Sequence, residues 1–165
     1  MVLEELDLEK YKRHPRVLEI RFMLFFDLLC NEQGFQGAVK FIESLCRVYN
    51  CNFVYLNALI NKRFDIKRNG KVRWRFWRQE VLFTSYIHGE SIYKVAKDYL
   101  HVNPQTIYNQ SDIYDIKKFC DNEWLEKFDN QTMFCGQEAF KIEVIRFMEI
   151  IENLCDVLCK WRNGE

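Results

Sequence analysis

Four polar side chains lie close together in the chain and have the types that recognise base edges in duplex DNA. They are Gln105, Thr106, Asn109 and Gln110. The amide groups of Asn and Gln can each bond adenine at two points in the major groove. If this segment is a helix, the four side chains point outward near its start, where a reading helix meets the bases. We therefore predict that these residues contact DNA bases.

Positive charge is concentrated in a segment that precedes these residues. Eight Lys and Arg residues lie between Asn61 and Glu80, where Asp65 and Glu80 are the only acids. Phosphate contacts supply much of the affinity for DNA, and the four base-reading candidates include no Lys or Arg. The predicted phosphate contacts are therefore Lys67, Arg68, Lys71, Arg73, Arg75, Arg78, Lys94 and Lys97. A formal net charge of zero thus hides a basic centre between acidic ends, and a charged segment that only keeps the protein soluble is the alternative interpretation.

The cysteines do not form a metal-binding pattern. The sequence has seven of them without a Cys-x-x-Cys pair, and His14, His88 and His101 lie at no ligand spacing from any cysteine. Structural zinc sites bring four such ligands together, and part of the set is closely spaced along the chain. We therefore predict no metal and no cofactor, and we interpret the cysteines as buried thiols in a reducing cytosol.

Neither an enzyme nor a membrane protein is indicated. No phosphate-binding glycine loop is present, and no nucleophile stands beside a general base. The acidic start of the chain lacks the basic region of a signal peptide. The most apolar run, Phe22–Cys30, is too short to cross a bilayer and contains Asp27. We predict a cytoplasmic protein that is not an enzyme and has no membrane partner.

Three short helices are predicted around the base-reading candidates. The first covers Arg78–Ile87, and Gly89 ends it because glycine tolerates the left-handed conformation of a helix C-terminus. Ser91–Leu100 forms the second, which begins with serine as its cap. Asn103 caps the third, and Pro104 occupies its first position, where no amide proton is needed. Two short helices joined by a tight turn, the second with polar residues outward, form a helix-turn-helix.

Particular residues in this stretch resemble a known DNA-binding superfamily. Gly89-Glu90-Ser91, Val95-Ala96-Lys97, Val102 and Thr106-Ile107-Tyr108 are similar to the pattern of the helix-turn-helices of resolvases, transposases and phage regulators and of the fourth region of bacterial sigma factors. In that superfamily the small residue that matches Ala96 lets two helices cross closely. The resemblance covers about 36 of the 165 residues. It implies a double-stranded DNA partner and a third helix that lies in the major groove.

Two classes of function follow from this resemblance. The first is a DNA-binding protein, such as a small transcriptional regulator or a DNA-binding factor of a phage, plasmid or transposon. The second is a protein-interaction or assembly module that has the helix-turn-helix shape and does not bind DNA. A continuous positive surface that joins the basic segment to the helix at Asn103 would favour the first class.

The basic segment itself has the pattern of a β-hairpin. Residues 64–76 alternate polar and apolar side chains on both sides of Asn69-Gly70. A three-residue loop pairs Ile66 with Val72, which places one apolar face inward and the basic side chains outward. A basic hairpin directly after a helix-turn-helix-like unit resembles the wing of winged-helix proteins.

The N-terminal half is predicted to be helical ahead of this hairpin. We predict helices at residues 3–13, Arg16–Cys30, Ala38–Val48 and about 52–61, with a loop at Asn31–Gly37. The last three helices repeat the order of elements in residues 78–113. The N-terminal half is therefore a candidate for a second helix-turn-helix of winged-helix type.

A long final helix is predicted over residues 137–161. Its apolar side chains recur at spacings of four and three, as in a coiled-coil seam: Phe140, Val144, Phe147, Ile151, Leu154, Leu158 and Trp161. One interpretation is a homodimer through this seam. The other is that the seam packs onto the helix Arg16–Cys30 of the same chain, because additional apolar residues widen the stripe.

These elements together predict a mostly α fold. It is a multi-helix bundle that contains a helix-turn-helix at about residues 78–113, one β-hairpin at about 64–76 and a long C-terminal helix. The predicted regions are consecutive along the chain. Residues 1–76 form a helical unit that ends in the basic hairpin, residues 77–118 form the helix-turn-helix, and residues 119–165 form a C-terminal helical region.

Overall fold

Helices account for nearly all of the chain that the structure describes. The computed structural model describes residues 8–63, 78–89, 122–130 and 138–162, together with Lys94 and Lys97. In chain order the helices are α1 (Leu8–Lys12), α2 (Pro15–Tyr49), α3 (Phe53–Arg63), α4 (Arg78–Ile87), α5 (Asn122–Asn130) and α6 (Glu138–Arg162). Short turns at residues 13–14, 50–52 and 88–89 follow α1, α2 and α4.

Three of these helices confirm predictions made from local signals. The bounds of α4 match the prediction, and α6 begins and ends one residue after its predicted limits. Asn52 caps α3 as predicted, because its Oδ1 accepts a hydrogen bond from the backbone N–H of Val54 at 3.1 Å.

The predicted fold class is wrong in one respect, because it included a β-hairpin. No strand occurs in the described ranges, which are all-α, and the wing inferred from the hairpin is withdrawn with it. Residues 64–76 themselves lie outside the described residues. Alternation around Asn69-Gly70 is only a local preference, and a two-stranded hairpin is marginal unless a further strand or a helix covers it. None of the described segments provides such a strand.

The predicted loop at Asn31–Gly37 is also wrong. Helix α2 continues through it, and only Gly34 has non-helical backbone angles, with φ 76° and ψ 167°. A positive φ is favourable for glycine, so the chain changes direction at one residue and then resumes the helix. A second helix-turn-helix in the N-terminal half would require a loop between the predicted helices Arg16–Cys30 and Ala38–Val48. The structure has only the single non-helical residue Gly34 there.

The chain divides into two compact units, each made of segments that are distant in sequence. Unit 1 contains residues 1–20 and 73–132, and unit 2 contains residues 21–72 and 133–165. The predicted regions were instead consecutive. The boundary at Ile20 lies inside α2, which is why composition along the chain gives no sign of it.

Each unit has its own apolar interior. In unit 1 the buried cluster is formed by Tyr11, Val17, Phe83, Ile87, Leu125 and Phe128. In unit 2, α6 packs on α3, and fully buried side chains include Phe22, Phe26, Ile42, Leu56, Ile60 and Phe147. No helix in the described part of the chain is both long enough and apolar enough to span a bilayer.

Candidate nucleic-acid interface

Helix α4 is the centre of unit 1 and the first helix of the predicted helix-turn-helix. Five consecutive residues, Val81–Ser85, are buried, and Ile87 is buried two residues later. Even the hydroxyl of Ser85 is directed into the helix, where it donates to the carbonyl oxygen of Val81 at 2.8 Å. A helix covered on this many sides is held in place by packing rather than by its own propensity.

Aromatic contacts fix the position of α4 within unit 1. The ring of Phe83 makes edge-to-face contacts with Tyr11 of α1 and with Trp124 and Phe128 of α5, at centroid distances of 5.5, 5.0 and 5.0 Å. Trp124 also donates its indole N–H to the Oε1 atom of Gln79 at 3.2 Å. Edge-to-face pairs contribute about 0.5–1.5 kcal/mol each beyond the area they bury. The rings therefore orient α4 as well as cover it.

A buried ion pair joins the start of α2 to the first turn of α4. Arg16 Nη1 lies 3.1 Å from Glu19 Oε1, and these two side chains are 4% and 0% exposed. The other guanidinium nitrogen, Arg16 Nη2, lies 3.8 Å from Glu80 Oε1 on α4. Sequence reasoning missed this pair, although Arg16 and Glu19 stand three apart in a largely apolar run, which was the available signal.

His14 caps α2, a second feature that sequence reasoning missed. Its Nδ1 atom accepts a hydrogen bond from the backbone N–H of Arg16 at 3.1 Å, so Nδ1 carries no proton. Pro15 is the first helical residue, where its missing N–H costs nothing. The imidazole ring lies against Tyr11 and Phe128, at centroid distances of 5.8 and 5.0 Å. The cap therefore also attaches the start of α2 to the aromatic cluster.

The end of α4 confirms the predicted stop. The backbone N–H of His88 donates to Thr84 O at 3.2 Å, and that of Gly89 donates to Tyr86 O at 3.1 Å. Gly89 has a φ of 67°, the left-handed conformation that reverses the chain direction after a helix. Beyond it, Lys94 and Lys97 both have helical backbone conformations and exposed side chains.

Most of the predicted DNA contacts lie outside the described residues. This applies to the base-reading candidates Gln105, Thr106, Asn109 and Gln110 and to the phosphate candidates Lys67, Arg68, Lys71, Arg73 and Arg75. Arg78 is the first residue of α4. Its side chain lies outside the described set. Of the predicted phosphate contacts in the described part of the chain, Lys94 and Lys97 are the two whose side chains are described, and both are exposed.

The described residues of the predicted dimer seam pack inside unit 2. Val144, Phe147 and Ile151 are buried, and the ring of Phe147 contacts Phe22 edge-to-face at 5.6 Å. On the same pair of helices, Arg21 Nε lies 3.4 Å from Glu152 Oε1. These contacts are those expected if the seam packs onto the first part of α2 in the same chain. Leu154 is half-buried, while Phe140, Leu158 and Trp161 lie in α6 with side chains outside the described set.

The thiol of Cys30 is protonated at neutral pH. Burial and the nearby Asp27 carboxylate raise the pKa of Cys30 to about 11. In the described part of the chain, no three His, Cys, Asp or Glu side chains come together in a way that could hold a metal ion.

No family model, curated protein or solved structure matches this chain. Its function is therefore inferred from its own residues and their geometry.

Proposed function

We propose that this protein binds double-stranded DNA through a helix-turn-helix at about residues 78–113. It would act as a small transcriptional regulator or as a DNA-binding factor of a phage, plasmid or transposon. One observation carries the proposal: a left-handed glycine, Gly89, follows the end of α4 at Ile87, and Lys94 and Lys97 beyond it have helical backbone conformations. A short helix, a tight turn and a second helix in this order are the frame that presents a reading helix to the major groove.

The buried face of α4 gives this frame a rigid support. The aromatic contacts of Phe83 and the ion pair of Arg16 with Glu80 attach α4 to α1, α2 and α5. A reading helix keeps its register on DNA only if the helices beneath it do not shift, because base contacts require hydrogen-bond precision. The packing of unit 1 is consistent with this requirement.

Exposed cations on the second helix supply part of the electrostatic attraction. Lys94 and Lys97 stand three residues apart in the sequence, both have helical backbone conformations and both are exposed. The remaining positive charge comes from the basic segment before α4. Lys and Arg contacts to phosphate position a protein on the duplex without reading its sequence.

Removing charge from the basic segment should weaken DNA binding and reduce its dependence on salt. We expect replacement of Lys67, Lys71, Arg73 and Arg75 with alanine to lower the slope of log affinity against log salt by about 3 to 4 units, if all four contact phosphate. Fluorescence anisotropy with a labelled duplex, between about 50 and 200 mM salt, measures this slope. The exposed Lys40 and Arg47 of α2 provide a charge control, and their replacement should leave the slope unchanged. An unchanged slope in the fourfold variant would mean that the basic segment does not face DNA.

Removing a base-reading amide should change sequence preference rather than overall attraction. Selection on random duplex DNA first identifies the preferred site. On that site, Asn109→Ala or Gln105→Ala should cost about 1 to 3 kcal/mol for each lost bidentate contact with adenine. On unrelated duplex the same variants should bind as the wild type does, because phosphate contacts remain. Equal losses on both duplexes would contradict a base-reading role for these residues.

The second candidate is a protein-interaction module with the same shape. The observation that favours it is the formal net charge of zero, which is unusual for a DNA-binding chain. If selection on random duplex enriches no sequence and anisotropy detects no binding at about 50 mM salt, where phosphate contacts are strong, this second candidate replaces the first.

A further inference from the structure

The turn between α2 and α3 has the geometry of a Schellman motif. Helix α2 ends at Tyr49, and Asn50 follows in the left-handed conformation with φ 56°. The backbone N–H of Cys51 donates to the carbonyl oxygen of Cys46 at 2.9 Å. This bond, from the second residue beyond the helix back to its last turn, is the long-range hydrogen bond that defines the motif.

The motif brings the side chains of its two bonded residues together. In this motif the two positions frequently carry apolar residues that contact each other across the turn. Here both positions carry cysteine, so the usual apolar contact is replaced by a pair of thiols. A disulfide requires two Cα atoms within about 4.4 to 6.8 Å, and the 2.9 Å hydrogen bond from Cys51 N to Cys46 O holds the two backbones close to each other.

The two thiols differ in their access to solvent. Cys46 is 2% exposed, whereas Cys51 is only partly buried. The Sγ atom of Cys51 lies 4.0 Å from the carbonyl oxygen of Tyr49, at the open end of α2. A reagent in solution therefore reaches Cys51 first, because burial shields Cys46 from solvent.

Helix α6 holds this turn in place from the other side. The carboxylate of Glu143 accepts a hydrogen bond from the backbone N–H of Asn52 at 3.0 Å, and Arg146 Nη2 donates to Tyr49 O at 3.4 Å. The turn lies at the surface of unit 2, and these two hydrogen bonds attach it to α6. Because its ends are fixed, the two thiols stay near each other in the folded protein.

The ionisation of the thiols determines how they react. Burial, together with the charges of Cys51, Glu143 and Glu43, raises the pKa of Cys46 to about 12. Burial also raises the pKa of Cys51, while the Arg146 guanidinium opposes this change. Thiols of high pKa react slowly at neutral pH, but as poor leaving groups they form disulfides that are hard to reduce.

We propose that Cys46 and Cys51 form a reversible modification site, at which a low-molecular-weight disulfide oxidises the two thiols to an intrachain disulfide. The Cys51 thiolate attacks one sulfur of the small disulfide and releases one equivalent of its thiol. The Cys46 thiolate then attacks the Cys51 sulfur of the mixed disulfide and releases the second equivalent. Two electrons pass from the protein thiols to the small disulfide, and the two protein protons go to the two released thiolates.

Trypsin provides a direct test, because Arg47 lies between the two cysteines. After oxidation of the native protein with oxidised glutathione, free thiols are alkylated and the protein is digested. We expect the peptide 41–47 to be linked to the peptide 48–62, and reduction to separate them. The oxidised protein should unfold about 4 to 8 °C higher than the reduced protein, because the covalent link restricts the unfolded chain. The reaction should accelerate as pH rises, since thiolate is the attacking form.

Two variants and an unfolded sample make the test specific. Cys51→Ala should abolish the linked peptides, whereas Cys155→Ala, which removes an exposed thiol elsewhere, should leave them unchanged. The native and the urea-unfolded protein are each equilibrated in glutathione redox buffers. We expect the native protein to form the disulfide at a ratio of oxidised to reduced glutathione at least tenfold lower than the ratio that the unfolded protein requires. Absence of the linked peptides in the native protein, or equal formation in the unfolded protein, would overturn the proposal.

Discussion

Replacing Arg16 with methionine should lower the free energy of unfolding by about 3 to 5 kcal/mol. The Arg16 guanidinium lies 3.1 Å from the carboxylate of Glu19, which is 0% exposed, and 3.8 Å from that of Glu80. Without Arg16, the Glu19 carboxylate loses a positive charge that offsets its removal from water. Urea unfolding followed by circular dichroism measures the effect.

An exposed ion pair provides the control for this prediction. Arg47 and Glu43 form a pair one turn apart on α2, with the Arg47 side chain 75% exposed. Arg47→Met should cost less than about 1 kcal/mol, because surface pairs contribute little. The double change Arg16→Met with Glu19→Leu should recover much of the loss, since an apolar pair needs no counter-charge. If Arg16→Met costs no more than Arg47→Met, the buried pair does not stabilise unit 1.

Replacing Phe147 with alanine should destabilise the protein by about 3 to 5 kcal/mol and leave its oligomeric state unchanged. Phe147 is 1% exposed, and its ring contacts Phe22 at 5.6 Å and Phe25 at 6.5 Å. Truncation removes these ring contacts and leaves a cavity between α6 and α2, so the cost combines lost transfer energy with lost packing. Chemical unfolding gives the stability, and light scattering at micromolar concentration gives the mass.

The same helix offers a matched control. Ile142 is 54% exposed, so Ile142→Ala should change stability by no more than about 0.5 kcal/mol. If the wild-type protein has the mass of two chains and Phe147→Ala has the mass of one, the seam of α6 is the dimer interface predicted as the first interpretation of the sequence. A single-chain mass for both proteins would place the seam in the core.

Several helix ends were predictable because short-range chemistry determines them. Gly89 stops α4 since a residue without a Cβ adopts φ 67° at low cost, and Asn52 starts α3 since its side chain accepts the Val54 N–H. The length of α6 followed from the spacing of its apolar residues. Each of these signals acts within about one turn of the chain, so no knowledge of the fold was needed.

The candidate DNA contacts were predictable only as residue types. Asn109 and Gln105 have side chains suited to adenine, and Lys94 and Lys97 suit phosphate, whatever their final positions. Both lysines are exposed, and their contact with phosphate stays a prediction. A continuous positive face cannot be derived from composition, because it depends on how distant segments are arranged.

The sequence alone determined the helical character of this protein, the ends of α3 and α4 and the apolar stripe of α6, since each depends on residues within a few positions of one another. Tertiary structure decided whether helix or loop formed where the local sequence favoured a loop. At Asn31–Gly37 the glycines Gly34 and Gly37 favoured a loop, but α2 continues and bends only at Gly34. Packing also decided what Phe147 contacts, because Phe22 lies far from it in sequence and meets it only in the folded unit. Burial of the Arg16–Glu19 pair was decided in the same way, because Glu80 of α4 approaches Arg16 only when the helices pack.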